Sequence, residues 1–232
     1  HFRRGLCPGG SPGPRGRMIL PFTGADVAET IPKAIAHIRG GGLLGYPTET
    51  VYGLGGRVDT ASVSALAHLK GRPDGKPFLV LVSSVQMAED LGLLFNDAAR
   101  AMARAFWPGP LTLALPSTGT RLPGQLRGPE GGIAVRYTGH PDVARLIREL
   151  GEPLTSTSAN RPGTSPAPGA DRLAEVFGAA VTSGQLLVLD GGALGNVPPS
   201  TLIDCTGSVA RLIREGAIPR AELRRAVGRL AP

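Results

Sequence analysis

Residues 43–78 read LLGYPTETVYGLGGRVDTASVSALAHLKGRPDGKPF, and the function of the whole chain is best approached from this segment. The apolar run 43–46 predicts a short buried strand, which ends at Pro47. A polar triplet, residues 48–50, can donate and accept hydrogen bonds. In the run 51–56, glycines allow the backbone to approach a ligand or a second backbone closely. The segment therefore predicts one wall of a pocket.

Three cations, Lys70, Arg72 and Lys76, follow a predicted helix within this segment. Prolines and glycines prevent the residues after Lys70 from being helical. The chain has three lysines, and two of them are here, so we interpret this loop as a binding site for a polyanion, ATP being the expected ligand. The spacing leaves an alternative open, in which Lys70 and a Gly71 cap merely complete the helix terminus.

Composition and charge restrict the class of protein. The chain has 232 residues, of which 41% are hydrophobic and only 4% aromatic, so a sizeable aliphatic core is expected. No apolar run approaches the roughly 20 residues that span a bilayer. The net charge is +7, but residues 1–17 contribute four arginines and no acid, which leaves +3. This mildly basic remainder permits contact with nucleic acid without requiring it.

The first 17 residues show no periodicity and are rich in glycine and proline. We interpret residues 1–17 as a disordered leader or tag remnant, with Met18 as the expected biological start. Residues 18–232 are then expected to form one domain, because no linker or internal repeat divides them.

Several chemistries are disfavoured by the sequence. Two cysteines without disulfide or metal spacing favour a reducing, cytoplasmic location. Four scattered histidines give no zinc-ligand spacing, so no metal ligands are predicted in the protein. A Gly-x-Ser-x-Gly elbow and a Walker loop are both missing from the sequence, so ATP would need another kind of cradle.

Apolar runs and helical periodicities mix without strict alternation, which predicts a single α/β domain with a twisted mixed sheet of parallel and antiparallel strands. Pro32 places the start of the first helix near Thr30, which could cap it. The clearest further elements are strands over 78–82, 111–115, 133–136, 201–205 and 211–214, and helices over 97–106 and 141–150.

Two groups of polar residues follow apolar runs. Ser156, Thr157, Ser158 and Asn160 could present donors to a phosphate or carboxylate, although an ordinary polar turn is the alternative. Arg136 ends an apolar run and needs an anion, either a structural carboxylate or a substrate.

Arg214 closes a similar run, where the adjoining Glu215 offers a plain ion pair. The pair Ser200 and Thr201 has the composition of an ordinary strand start, and the pattern by itself indicates no function.

Six motifs in this order resemble the YrdC/Sua5 (TsaC) family of threonylcarbamoyl-AMP synthases, over essentially residues 31–225. They are PTETVYGLG (47–55), KGRP (70–73), WPGPLT (107–112), AVR (134–136), STSAN (156–160) and DGG (190–192). The resemblance is to the short, single-domain type. It implies a fold like that of dihydroxybutanone-phosphate synthase (YrdC/RibB-like) with a concave, basic cavity.

The resemblance also implies a reaction. L-threonine, bicarbonate (or CO2) and ATP give L-threonylcarbamoyladenylate and pyrophosphate, with Mg2+ assisting at the phosphates. The product serves the downstream proteins that place threonylcarbamoyl on adenosine 37 of tRNA.

By motif, the resemblance divides the site residues into three groups. The residues expected to act in catalysis are Lys70 and Arg72. Those expected to bind ATP are Lys70, Arg72, Lys76, Gly132, Ser156, Ser158, Asn160 and Arg214. Those expected to bind threonine are Thr50, Arg136 and Ser200.

The sequence departs from the family pattern at three places. Gly132 stands where many relatives have serine or threonine, so a nucleotide contact there would come from the backbone. The usual Glu-Ser-Thr reads Pro199-Ser200-Thr201, and residues 161–163 replace a commoner Leu-Ser-Gly.

Two rival functions are also compatible with the sequence. The first is a non-catalytic RNA-binding protein that recognises double-stranded RNA by shape, although scarce aromatics weaken a single-strand version and any RNA binding is expected to be weak. The second is carbamoyl transfer, which would need partner domains.

Overall fold

The strands of the protein join into one mixed sheet. The computed structural model describes residues 18–71, 76–119 and 121–231, and in these ranges ten strands pair edge to edge. The strands are Ile19–Pro21 (β1), Leu43–Tyr46 (β2), Gly53–Gly55 (β3), Leu79–Val82 (β4), Leu111–Leu115 (β5), Ile133–Tyr137 (β6), Leu154–Ser158 (β7), Leu186–Asp190 (β8), Thr201–Asp204 (β9) and Arg211–Arg214 (β10).

The order of the strands across the sheet is β1-β8-β2-β3-β7-β4-β6-β5-β9-β10. The pairs β1/β8, β8/β2, β4/β6 and β5/β9 are parallel. The pairs β2/β3, β3/β7, β7/β4, β6/β5 and β9/β10 are antiparallel. This topology confirms the predicted α/β class with a mixed sheet.

Eight α-helices lie between these strands in the described part of the chain. They are Asp26–Arg39 (α1), Thr60–Lys70 (α2), Val85–Asp90 (α3), Asp97–Phe106 (α4), Pro141–Leu150 (α5), Ala170–Val176 (α6), Gly178–Ser183 (α7) and Arg220–Val227 (α8), with a 3-10 turn at Gly124–Leu126. Within the described ranges, none of these helices is long and apolar enough to span a membrane.

The two faces of the sheet pack into two separate hydrophobic clusters. Successive side chains of a strand point to opposite faces, and in β2 Leu43 belongs to one cluster while Leu44 belongs to the other. The smaller cluster joins the apolar faces of α1 and α5 to the sheet. The larger cluster joins α2, α4, α6 and α8 to the opposite face.

The smaller cluster covers only part of its face of the sheet. On β4, Leu81 is packed in that cluster, and on β7 so is Leu154. Further along the same face, the side chains of Thr112, Ala134 and Leu202 line a cavity instead. This uncovered part of the sheet is the floor of the candidate site.

Helix α2 is capped at both ends. The Asp59 side chain accepts a hydrogen bond from the Ser62 backbone N–H (2.8 Å), and Gly71 ends the helix in the left-handed region at φ 60°. Glycine is favoured there because it has no Cβ. The helix therefore holds Lys70 in its last turn, close to the cavity.

The predicted start of the first helix is wrong. Helix α1 begins at Asp26, and Pro32 lies inside it. Thr30 is not a cap, because its Oγ1 donates to the Pro21 carbonyl oxygen (2.8 Å) and so joins α1 to β1. Proline in a helix interior removes one backbone hydrogen bond, and burial of Val27 and Ile31 offsets that loss.

The glycine-rich run 51–56 allows two backbones to approach each other closely. Gly53–Gly55 forms β3, between β2 and β7, instead of a loop around a ligand. A Cβ built on Gly55 would overlap the backbone carbonyl of Thr155 and lie 2.8 Å from the Tyr46 hydroxyl. Glycine at this position therefore allows β3 and β7 to pair.

We predict that Gly55→Ala destabilises the protein by about 3 kcal/mol, because the added methyl group has no space between β3 and β7. Thermal unfolding should show a Tm lower by roughly 6–12 °C for a chain of this size. Gly178→Ala in α7 is the matched control, since a Cβ there meets no atom within 4 Å. Equal melting of the two variants would contradict the role given to Gly55.

Candidate active site

The uncovered part of the sheet forms the floor of a cavity of about 490 Å³. Its described lining consists of Thr48, Thr50, Val51, Gly53, Lys76, Pro77, Leu79, Thr112, Pro129, Ala134, Arg136, Ser156, Thr157, Ser158, Pro199, Ser200, Leu202 and Arg214. Three cations stand in this lining and, among the described residues, no carboxylate does. The cavity therefore offers positive charge, hydroxyl groups and an apolar floor.

Seven of the predicted site residues line this cavity together. They are Thr50, Lys76, Arg136, Ser156, Ser158, Ser200 and Arg214. They come from six separate parts of the sequence, and the fold brings them together on one cavity. Their individual roles remain predictions.

Lys70 and Asn160 lie directly behind this lining. The Lys70 side chain is only 5% exposed, and its Nζ donates to the Ser158 backbone carbonyl and to Asn160 Oδ1. Ser158 Oγ donates to the same Asn160 oxygen (2.6 Å). A buried ammonium needs such partners. These contacts hold the end of β7 in place, with the Ser158 hydroxyl at the cavity surface.

Of the remaining two predicted residues, the structure describes only Gly132. Gly132 does not line the cavity, and a Cβ there would meet Thr206 Cγ2 at 2.6 Å, so the neighbouring side chain fills the space of the expected hydroxyl. Pro129, from the same loop, does line the cavity. Arg72 falls outside the described residues.

Thr50 is fixed by the turn that follows β2. Thr48 Oγ1 accepts hydrogen bonds from the backbone N–H groups of Thr50 and Val51 (both 3.2 Å) and donates to the Val51 carbonyl (2.7 Å). The Thr50 hydroxyl lies 3.0 Å from Thr48 Oγ1. Side-chain to backbone hydrogen bonds of this kind stabilise turns. They place both hydroxyl groups on the cavity wall.

Ser200 is held between two strands. Its hydroxyl lies 2.8 Å from Thr112 Oγ1 of β5, and its backbone carbonyl accepts from Arg214 Nη2 (2.8 Å). The plain ion pair considered for Arg214 is not observed, because Glu215 instead accepts from the Arg220 backbone N–H (3.0 Å). Arg214 therefore remains at the cavity wall.

Arg136 is the most buried cation of the cavity. It is 4% exposed, and its Nε lies 3.6 Å from Glu49 Oε1, beyond hydrogen-bonding distance. Burial and the nearby Arg136 charge both lower the pKa of Arg214 from its usual value. Both arginines line the same cavity, and the repulsion between their like charges contributes to this lowering. A structural carboxylate thus lies on one side of Arg136 and the cavity on the other, and binding of a substrate carboxylate stays a prediction.

Thr112 and Thr48 also line the cavity, although neither was predicted as a site residue from the sequence. Thr112 had a signal, since in the run LTLAL (111–115) leucine alternates with smaller residues and the leucines pack into the larger cluster. Period-two alternation predicts that Thr112 faces the opposite side of the sheet. The alternation alone does not say that this side is open.

The chemistry of the lining is that of anion binding and positioning. The described residues contain no cluster of His, Cys, Asp and Glu side chains that could hold a metal ion. Arginine and lysine side chains with hydroxyl groups suit phosphate and carboxylate ligands. The fold and cavity define an α/β protein with a cationic cavity on an open part of its sheet, of a composition that suits an anionic small molecule.

The family of the protein follows from comparison with known sequences. The family model named for Sua5, YciO and YrdC, and described as "Telomere recombination", matches residues 36–216. The chain belongs to this Sua5/YciO/YrdC family, which confirms the resemblance seen in the six motifs.

Individual relatives agree with this assignment. A threonylcarbamoyl-AMP synthase of Thiobacillus denitrificans is 39% identical over 178 residues, covering 76% of this chain and 92% of that protein. One of Bacillus subtilis is 32% identical over 199 residues, covering 85% of this chain and 56% of that protein. The crystal structure of P. abyssi Sua5 complexed with L-threonine superposes with a TM-score of 0.84 at 33% identity, over 92% of this chain and 62% of that one.

The chain thus spans nearly all of one relative but little more than half of the longer ones. The part matched by the family model, residues 36–216, contains nine of the ten strands and all the described residues that line the cavity.

A histidine behind the cavity wall makes stability depend on pH. His140 Nδ1 is the acceptor for the Val143 backbone N–H (3.5 Å) at the start of α5, and its ring stacks on Phe22. Burial lowers the pKa of His140 below its usual 6.5, although Asp142 and Glu49 oppose this. The unfolded chain therefore binds the proton more readily than the folded one.

We predict that the protein loses stability as pH falls below about 6.5, the pKa of histidine in an unfolded chain, and that His140→Asn reduces this loss. Asparagine retains a cap acceptor but does not titrate. Thermal unfolding at pH 7.5 and 5.5 should give a smaller drop in Tm for the variant. His37 and His68 are present in both proteins. An equal drop would show that His140 does not contribute.

Proposed function

We propose that the chain is an L-threonylcarbamoyladenylate synthase, a nucleotidyltransferase that forms threonylcarbamoyl-AMP and pyrophosphate from L-threonine, bicarbonate or CO2, and ATP. The observation that carries the proposal is the convergence of Lys76, Arg136 and Arg214 with the β7 hydroxyl groups on one cavity. Its family and the names of its relatives agree with this assignment.

In this proposal Arg136 binds the carboxylate of threonine. A guanidinium offers a planar pair of donors that matches a carboxylate. Thr50 and Ser200 complete the amino-acid site, since both residues line the same cavity as Arg136. The P. abyssi relative that was crystallised with L-threonine supports this choice of ligand.

The remaining predicted residues are assigned to ATP. Lys70 and Arg72 act in catalysis by stabilising charge on the phosphates, with Lys76 alongside them. Ser156, Ser158 and Arg214 contact the nucleotide, and Asn160 orients the loop after β7. Gly132 has no role in this proposal, because it does not line the cavity. Lys70 can reach a phosphate only next to Ser158, because its Nζ is already bonded there.

The reaction requires no nucleophile from the protein. The nitrogen lone pair of threonine attacks CO2, forming a carbamate and releasing a proton. A carbamate oxygen then attacks the α-phosphorus of ATP, and the bond to the pyrophosphate oxygen breaks. The protein holds the two substrates together and stabilises the charge that develops, which is how cationic and hydroxyl groups accelerate such steps.

Magnesium fits this site only as a companion of the nucleotide. No carboxylate appears in the described lining, so Mg2+ would be held by phosphate oxygens with hydroxyl groups such as Ser158 nearby. When bound it would neutralise phosphate charge.

We further propose that the product passes to the proteins that modify adenosine 37 of tRNA, in the cytoplasm. Direct contact with RNA would be weak and dependent on salt, as expected for a mildly basic surface. The rival function, RNA binding without catalysis, does not explain why a buried arginine of the cavity lining is paired with a carboxylate behind it.

We predict that the purified chain releases pyrophosphate from ATP only when threonine and bicarbonate are both present. The carbamate must form before the α-phosphorus can be attacked, so omission of either substrate should reduce the signal to background. A coupled pyrophosphate assay measures this directly. Equal release without threonine would refute the proposed reaction, and no release under any condition would favour the RNA-binding rival.

We predict that Arg136→Ala raises the KM for threonine by about 10- to 100-fold, because a charge-assisted hydrogen bond contributes about 1.5–3 kcal/mol. Binding of ATP, measured by calorimetry, should change much less. Arg104→Ala, an exposed arginine of α4 outside the cavity, is the matched control and should behave like the unaltered chain. A larger effect on ATP than on threonine would show that Arg136 does not bind the carboxylate.

A further inference from the structure

Glu49 lies directly behind the cavity wall. Its neighbours in the turn, Thr48 and Thr50, line the cavity, whereas Glu49 is not part of the lining and its side chain is 17% exposed. A carboxylate in this position is costly unless it has partners. Glu49 is not among the site residues predicted from the sequence.

The Glu49 carboxylate is held in place by β6 and the loop that follows. Its Oε2 accepts a hydrogen bond from Thr138 Oγ1 (2.7 Å), and the Gly139 backbone N–H also donates to the carboxylate. Thr138 is fully buried and its Oγ1 also accepts from the His140 backbone N–H (3.2 Å). Burial acts to raise the pKa of Glu49, but Arg136, Gly139 and Thr138 lower it below its usual value, so the group is ionised.

The free oxygen of this carboxylate is directed at Arg136. Glu49 Oε1 and Arg136 Nε are 3.6 Å apart, and both atoms are buried without a hydrogen-bond partner. Since a guanidinium is planar, the direction of Nε fixes the plane of the two terminal nitrogens. Arg136 itself lines the cavity, so the orientation of this plane decides how the guanidinium can meet a ligand there.

The negative charge of Glu49 also affects the two arginines of the cavity lining. Arg136 and Arg214 line the same cavity, and the charge of one lowers the pKa of the other. In the described part of the chain, Glu49 is the carboxylate that pairs with Arg136. Its negative charge therefore offsets the repulsion between the two arginines.

We propose that Glu49 is the positioning residue of Arg136: from behind the cavity wall, its carboxylate fixes the plane of the guanidinium and supplies the counter-charge that keeps it beside Arg214. This inference rests on the proposed function, in which Arg136 binds the carboxylate of threonine. Glu49 itself touches neither substrate. Its contribution is to the geometry of threonine binding, which distinguishes it from the ATP-binding residues.

The test is Glu49→Gln, which keeps the shape and one oxygen that can accept from Thr138 but removes the charge. An amide N–H facing Arg136 Nε sets two donors against each other, so the guanidinium must turn. The KM for threonine should rise about tenfold, whereas kcat and the KM for ATP should stay within about threefold. Glu149→Gln, on the exposed side of α5, is the matched control and should leave all three values unchanged.

A double-mutant cycle separates positioning from a general structural effect. In an Arg136→Ala background, Glu49→Gln should have no further effect on the KM for threonine. In the same Arg136→Ala background, Glu49→Gln should also raise the Tm, because without Arg136 the Glu49 carboxylate is buried and unpaired. An unchanged tenfold effect in that background would overturn the inference.

Thr138→Val is the second variant and carries the test if Glu49→Gln does not fold. It removes one tether of the carboxylate, so the KM for threonine should rise by a smaller factor, about threefold, with ATP unaffected. An unaltered KM in a folded variant, while the unaltered chain is active, would overturn the role of Glu49. Absence of threonine-dependent pyrophosphate release by the unaltered chain would instead overturn the proposed function, and this inference with it.

Discussion

The pleat of one sheet, covered by helices only in part, is the constraint on which the rest of the structure depends. Side chains of each strand alternate between two faces, and one face is packed against helices along its length. The other face is covered by α1 and α5 around Leu81 and Leu154 but is open where Thr112 and Ala134 stand. The same alternation therefore builds the core and the cavity, and no separate domain is needed to form a site.

The electrostatics of the cavity follow from this position on the sheet. Arg136 and Arg214 project from two strands onto a surface with an apolar floor, where a charge is expensive unless it has a partner. Glu49 provides that partner for Arg136 from behind the wall, and the Ser200 carbonyl provides one for Arg214. A cavity that already holds oriented cations needs little reorganisation when an anion binds, which is the property that positioning catalysis requires.

Local signals predicted much of the secondary structure. Helices α4 and α5 and strand β5 have the predicted bounds, because their apolar periodicity and terminal Asn96, Gly151 and Pro110 are local in sequence. Local rules failed where tertiary contacts dominated. Burial of α1 keeps Pro32 inside a helix, and the pairing of β3 with β7 makes a strand of a glycine run that has little strand propensity of its own.

The sequence by itself determined the family, the mixed α/β class and seven of the residues that line the cavity, including its three cations, because motifs and periodicity are recorded in the order of residues. The tertiary structure decided which of those residues face the cavity. It placed Lys70 and Asn160 behind Ser158, filled the space at Gly132 with Thr206, and set Glu49 against Arg136. The contacts of Lys70 with Ser158 and of Glu49 with Thr138 join residues that are 88 and 89 positions apart in sequence, and no local pattern encodes such contacts.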